Sequence, residues 1–190
     1  MTYTDVTLPV DRDLYRESGE IEKKIFSGHF GTHFDVMDKE FPLEYCERKG
    51  YVFDVRDKEE ISEEDIDLDK VQEGTLIAFC SGIQKKYPYG TKEYHRSHPQ
   101  LSQELIEKLL KKKISLIGID FAGIRRSGEH TPADQHCADH GVFVIENLTN
   151  LESVLERECI FYVFPLSLLH SSGLPCRVIV KTEKLNYNID

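Results

Sequence analysis

Two imidazoles and a carboxylate fall within seven positions of the segment Gly28-His29-Phe30-Gly31-Thr32-His33-Phe34-Asp35. Those are the residue types of a metal centre. On an extended chain the i, i+2 spacing of His33 and Asp35 sends both side chains to one side, and a bend at Gly31-Thr32 turns His29 toward the same point. Two nitrogen ligands and one oxygen ligand leave coordination positions for water or substrate, which separates a catalytic zinc or manganese site from a closed structural one. The competing reading of the same residues is a loop with two ordinary histidines. The sequence holds no G-x-S-x-G elbow, so no serine nucleophile is expected.

Positioning such a cluster takes a rigid frame, and the hydrophobic pattern supplies strands. Runs rich in apolar, β-branched or aromatic residues occur at Tyr51-Val55, Thr75-Cys80, Ile114-Ile119, Val142-Ile145, Ile160-Phe164 and Arg177-Lys181. A helix is expected from Leu101 to Lys113, with Leu105, Leu109 and Leu110 on one face, and a shorter one at Leu151-Glu158. Lys111-Lys112-Lys113 complements the dipole at the end of the first helix. Ser62-Glu63-Glu64-Asp65 is expected to cap a short helix within a solvated acidic stretch. Alternating strands and helices in the second half argue for an α/β domain, while the hairpin-like spacing near Pro165-Pro175 makes part of the sheet antiparallel.

With 190 residues, 39% of them hydrophobic and 31% charged, one globular domain covering residues 1–190 is the default. The formal net charge of −10 repels a phosphate backbone, so nucleic acid is not an expected partner. No apolar run reaches the length of a membrane span and the first residues lack a signal pattern, so a cytoplasmic protein is expected. Five cysteines without a C-x-x-C pair indicate reduced thiols rather than a disulfide framework or a zinc knuckle.

The cluster also carries a resemblance. His29-x-Gly31-Thr32-His33-x-Asp35 resembles the H-x-G-T-H-x-D signature of the cyclase superfamily, which includes kynurenine formamidase and isatin hydrolase. Asp5-Val6-Thr7-Leu8-Pro9 resembles its opening strand, Ile114 to Asp120 its GID strand, and Val142 to Leu151 its ENL segment. Phe164-Pro165-Leu166 with Gly173-Leu174-Pro175-Cys176-Arg177 resembles the closing segment. The motifs follow in the family's order along most of the chain.

The resemblance implies a single α/β domain of the swivelling β/β/α kind, a mixed sheet with flanking helices, assembled as a homodimer or larger homo-oligomer. It implies one or two divalent ions, zinc or manganese. By the same resemblance Asp35 bridges two ions, while Glu146 and a later histidine bind the second. Family spacing counted back from Glu146 arrives at Asp134, and the nearest histidine is His136, so either is a candidate ligand. His130 and His140 are expected at the surface or outside the direct ligand set. His95 and His98 flank a loop before the helix, where they cap it or line the pocket mouth, and His170 carries no signal.

One departure stands out. Family members often continue as D-x-P-x-H, whose histidine transfers protons; here Asp35-Val36-Met37-Asp38-Lys39 puts Lys39 in that place. Lys39 is one candidate catalytic group, as a base with a lowered pKa or as a charged group stabilising an oxyanion, against the equal alternative of an exposed, inert lysine; Glu146 is another candidate. Phe30, Phe34, Tyr87 and Tyr89 either line a pocket for a planar substrate or fill the core. The expected activity is hydrolysis of a small amide, lactam or lactone by metal-activated water, of the arylformamidase type acting on non-peptide C–N bonds. The missing histidine motivates the alternative, a relative that binds metal and a small ligand without catalysis.

Overall fold

The computed structural model describes residues 1–9 and 27–183. The strands are β1 (Thr2–Asp5), β2 (His33–Asp35), β3 (Glu47–Asp54), β4 (Glu60–Ile61), β5 (Leu76–Cys80), β6 (Gln100–Leu101), β7 (Leu116–Ile119), β8 (Phe143–Glu146), β9 (Glu158–Pro165) and β10 (Gly173–Thr182). The helices are α1 (Ile83–Lys86), α2 (Lys92–Ser97), α3 (Gln103–Lys111) and α4 (His130–Asp139). Every strand expected from apolar runs is present, within a few residues of its expected ends. The opening strand lies earlier than expected, at Thr2–Asp5, and Thr7 only bridges Leu148.

Eight strands form one mixed sheet in the order β1-β10-β2-β8-β7-β5-β3-β9, and β9 also pairs with β10. Seven of them therefore close into a ring, β1 lying outside it along β10. The β3-β5-β7-β8 half is parallel, and β2, β9 and β10 are antiparallel to their neighbours. β9 and β10 form the antiparallel hairpin expected around Pro165-Pro175. Strand alternation divides the core in two. Phe34, Val52, Leu76, Ala78, Leu116, Ile145, Phe161 and Val178 fill the ring. Phe53, Ile77, Phe79, Ile117, Ile119 and Val144 face outward against Leu105, Leu109, Ala133 and Cys137 of α3 and α4.

α3 starts where Ser102 Oγ accepts the Leu105 N–H at 3.1 Å, and Lys108 and Lys111 occupy its last turn. Ser62 and Asp65 form the expected capping box, on a 3-10 turn at Glu63–Asp65. The second helix expected at Leu151-Glu158 is a single 3-10 turn, Leu151–Val154. Its continuation is stopped by Glu156, which takes φ +53° and whose backbone N–H donates to Val52 O at 2.9 Å, while its carboxylate accepts the Asp54 N–H and the Tyr51 hydroxyl, each at 2.9 Å. These bonds tie the segment to β3 and lead it into β9.

α4 is absent from the sequence expectations. Its buried residues, Ala133, Asp134, Cys137 and Ala138, have helical spacing but include no large aliphatic side chain. Pro132 in its first turn was the available signal, since proline is tolerated there.

Candidate metal centre

β2 is three residues long, yet it is held on both sides, by β8 and β10. Its register sets His33 opposite Glu146 and Asp35 opposite Val144, so His33, Asp35 and Glu146 share the outward face beneath α4 while Phe34 points into the ring. Thr32 locks the approach: its hydroxyl donates to Asn147 O at 2.8 Å and accepts the Leu8 N–H at 2.8 Å. Gly28 sits at φ +76°, and a Cβ there would lie 1.9 Å from Gly173 O, so only glycine allows this crossing that delivers His29.

The imidazoles are oriented by their far nitrogens. His33 Nδ1 lies 2.9 Å from Gly31 O, and because a carbonyl can only accept, that nitrogen carries the proton. His33 Nε2 thereby keeps an open lone pair able to bind a metal, 3.6 Å from both Asp35 Oδ1 and Glu146 Oε2. His29 Nδ1 lies 3.1 Å from Ser27 Oγ, and its Nε2 lies 3.0 Å from Asp35 Oδ1. From α4, His130 and Asp134 project one turn apart on one face, with His130 Nε2 3.0 Å from Asp134 Oδ2 and 2.9 Å from Glu146 Oε1. Gly123, at φ +101°, makes room for that ring: a Cβ would stand 3.0 Å from His130 Cδ2 and Cε1.

Two groups result, His29-His33-Asp35 and Asp35-His130-Asp134-Glu146, and within each the candidate ligand atoms lie within 4.8 Å of one another. Asp35 belongs to both. His33, Asp35, Asp134 and Glu146 are 2–4% exposed, so three carboxylates are crowded where water cannot solvate them. Burial and then the Asp35 charge push the Glu146 carboxyl up to about 8, and burial pushes Asp134 up to about 7. Burial also raises Asp35, but the His29 hydrogen bond and the neighbouring imidazoles outweigh it and hold the carboxyl below its usual range. Burial opposes charge on His130, yet its bonds to Asp134 and Glu146 prevail and raise it to about 11. Burial lowers His33.

The donors fit a divalent cation. Asp35 Oδ2 and Asp134 Oδ1 are buried with no hydrogen-bond partner among the described residues, a costly state for carboxylate oxygens that a cation relieves. A cation also lets all three carboxylates ionise together.

The structure brings His29, His33, Asp35, Asp134 and Glu146 together, and leaves His136 out. Two residues along a helix is a rotation of about 200°, so His136 points away from Asp134, and its Nε2 pairs with Glu107 Oε1 at 2.8 Å. The imidazole that does join them is His130, expected at the surface or outside the direct ligand set; the signal was its i, i+4 spacing from Asp134, which requires reading 130–139 as a helix. His140 stays exposed, its Nδ1 donating to His136 O at 2.8 Å. His98 is buried and stacks on Phe121 rather than lining a pocket mouth.

Lys39 also lies elsewhere. Its Nζ is 2.8 Å from Asp139 Oδ1 and 3.0 Å from Asp38 Oδ1, at the far end of α4 from His130. The hydrogen bonds to Asp139 and then Asp38 raise its pKa, the opposite of what a base requires. Of the four aromatics named above, Phe34 belongs to the ring core, and Tyr89 Oη accepts the Gly31 N–H at 2.9 Å beside the centre.

Residues 4–125 match the family model Cyclase, described as "Putative cyclase". The fold is shared with a solved structure titled as a potential metal-dependent hydrolase with cyclase activity, at 24% identity and TM-score 0.76, covering 94% of this chain and 96% of that one. A predicted metal-dependent hydrolase from Bacillus stearothermophilus is similar at 23% identity and TM-score 0.71, covering 94% and 97%. Isatin hydrolase A from Labrenzia aggregata, bound to benzyl benzoate, is similar at 19% identity and TM-score 0.75, covering 94% and 93%. No curated protein matches the sequence.

Proposed function

The chain belongs to the Cyclase family, and from that premise we propose that it is a metal-dependent hydrolase opening the acyl bond of a small amide, lactam or lactone. The observation that carries this reading is the pair of buried carboxylate oxygens with no partner among the described residues, Asp35 Oδ2 and Asp134 Oδ1, inside a six-residue donor set. His29, His33 and Asp35 would hold one divalent ion, zinc or manganese, and Asp35, His130, Asp134 and Glu146 would hold a second. An ion so bound supplies Lewis acidity, acidifying water near neutrality and offsetting negative charge on a carbonyl oxygen.

The chain's own residues do the rest. Gly31 O fixes the proton on His33 Nδ1, so the ring cannot turn its lone pair away from the centre. The Glu146 carboxylate, within reach of two imidazoles, is the group proposed to pass a proton from water to the leaving nitrogen or oxygen. The likeness to an isatin hydrolase supports a planar lactam, and a C–N bond outside peptides, as the first class to assay.

The test is to strip the protein with a chelator, reload it with Zn²⁺ or Mn²⁺, and assay isatin, N-formyl anilines and simple lactones across pH. Turnover of one class, lost with chelator and with Asp35→Asn, is expected. Fully loaded protein that turns over none of them would overturn the hydrolase reading in favour of a non-catalytic ligand-binding protein.

A further inference from the structure

The two donor groups are chemically unlike. One offers two imidazoles and a single carboxylate; the other offers three carboxylates and one imidazole. We infer that the centre is a mixed one, with a borderline ion such as Zn²⁺ at His29-His33-Asp35 and a hard ion such as Mn²⁺ at Asp35-His130-Asp134-Glu146. This inference rests on the metal-binding half of the reading above and is independent of which bond is hydrolysed.

Three observations support it. Imidazole-rich sets suit zinc, whereas carboxylate oxygens suit manganese and magnesium. Donor number points the same way: three residues with open positions match four-coordinate zinc, while four residues with spare oxygens match a six-coordinate ion. Of the two buried oxygens without partners among the described residues, Asp35 Oδ2 is shared by both groups, whereas Asp134 Oδ1 belongs to the carboxylate group alone and adds unused capacity on the oxygen-rich side. Zinc outcompetes manganese at most sites in raw affinity, so the difference appears as a smaller zinc preference at the second subsite. Asp134 sets that preference, since it supplies a carboxylate where an imidazole would give the second subsite two imidazoles, as many as the first has.

The experiment is metal competition on chelator-stripped full-length protein, dialysed against about a hundredfold excess of Mn²⁺ over Zn²⁺ and read by elemental analysis and electron paramagnetic resonance. The expected result is one zinc and one manganese per chain. His29→Ala is expected to lose the zinc and keep the manganese, and Asp134→His to exchange the manganese for a second zinc. Near-ultraviolet circular dichroism checks folding; should Asp134→His unfold, Asp134→Asn replaces it, with manganese lost and zinc retained. Two zinc ions per chain in the wild type, one ion in total, or loss of the same ion from both variants would overturn the inference. A protein with two zinc ions that still hydrolyses its substrate sinks only this inference; one zinc and one manganese without turnover sinks only the hydrolase reading.

Discussion

His33 and Glu146 stand opposite each other across the β2–β8 ladder, with Nε2 and Oε2 3.6 Å apart, and the other Glu146 oxygen reaches His130 on α4. Glu146 thus joins the strand ligands to the helix ligands. Glu146→Gln keeps the shape and removes the charge. It is expected to lower turnover by about a hundredfold or more and to reduce bound metal, measured by elemental analysis; unchanged metal and rate would remove Glu146 from the centre.

Lys39→Met is expected to leave metal content and turnover within a few-fold of wild type, because Lys39 is occupied by Asp38 and Asp139 away from the donor cluster. Steady-state kinetics decide it. A hundredfold loss of kcat with full metal occupancy would restore the lysine as the substitute for the missing D-x-P-x-H histidine.

Tyr94 is buried, and its hydroxyl donates to Asn147 Oδ1 at 2.6 Å; Asn147 Nδ2 in turn donates to Gly31 O at 3.0 Å, the carbonyl that fixes His33. Tyr94→Phe leaves the Asn147 oxygen short of a donor, a cost of about 1–3 kcal/mol. Loosened support of His33 is expected to weaken metal affinity by about tenfold. Chelator competition separates this from a purely structural role, which would lower stability and leave affinity alone.

Burial lowers His98 from 6.5 to about 4, outweighing the bond of its Nδ1 to Pro99 O at 2.7 Å. A depressed histidine pKa means the unfolded chain binds the proton more readily. Its contribution is therefore complete above about pH 6.5 and is lost as pH falls toward 4. The loss amounts to about 2 kcal/mol by pH 5. In urea melts at pH 7.5 and 5, His98→Asn is expected to lose less stability on acidification than wild type by about that amount. Equal losses would contradict the assignment.

We propose that the protein is a homodimer or larger homo-oligomer. Phe164, Leu166, Leu168 and Leu169 are exposed at the end of β9 and in the turn beyond it, an unusual concentration of apolar surface. Light scattering at micromolar concentration is expected to show an oligomer, and Leu166→Glu with Leu169→Glu to dissociate it. A monomeric wild type would end the proposal.

What the sequence determined by itself is local. Alternation and apolar runs marked six strands, leucine spacing marked α3, and the close spacing of His29, His33 and Asp35 made their convergence legible, because ligands a few residues apart are aimed by backbone periodicity alone. Glu146 was legible through its ENL segment. The tertiary structure decided the rest. α4 owes its existence to packing on the sheet through Ala133 and Cys137, with no leucine stripe to announce it, and only the helix makes His130 and Asp134 neighbours while turning His136 away. Of the two ionic partners of Lys39, Asp38 is its neighbour in the chain, but Asp139 was equally hidden, since it meets Lys39 through the docking of α4 beside the turn after β2. Residues distant in the chain are brought together by register and helix rotation, and those follow from how the whole core closes.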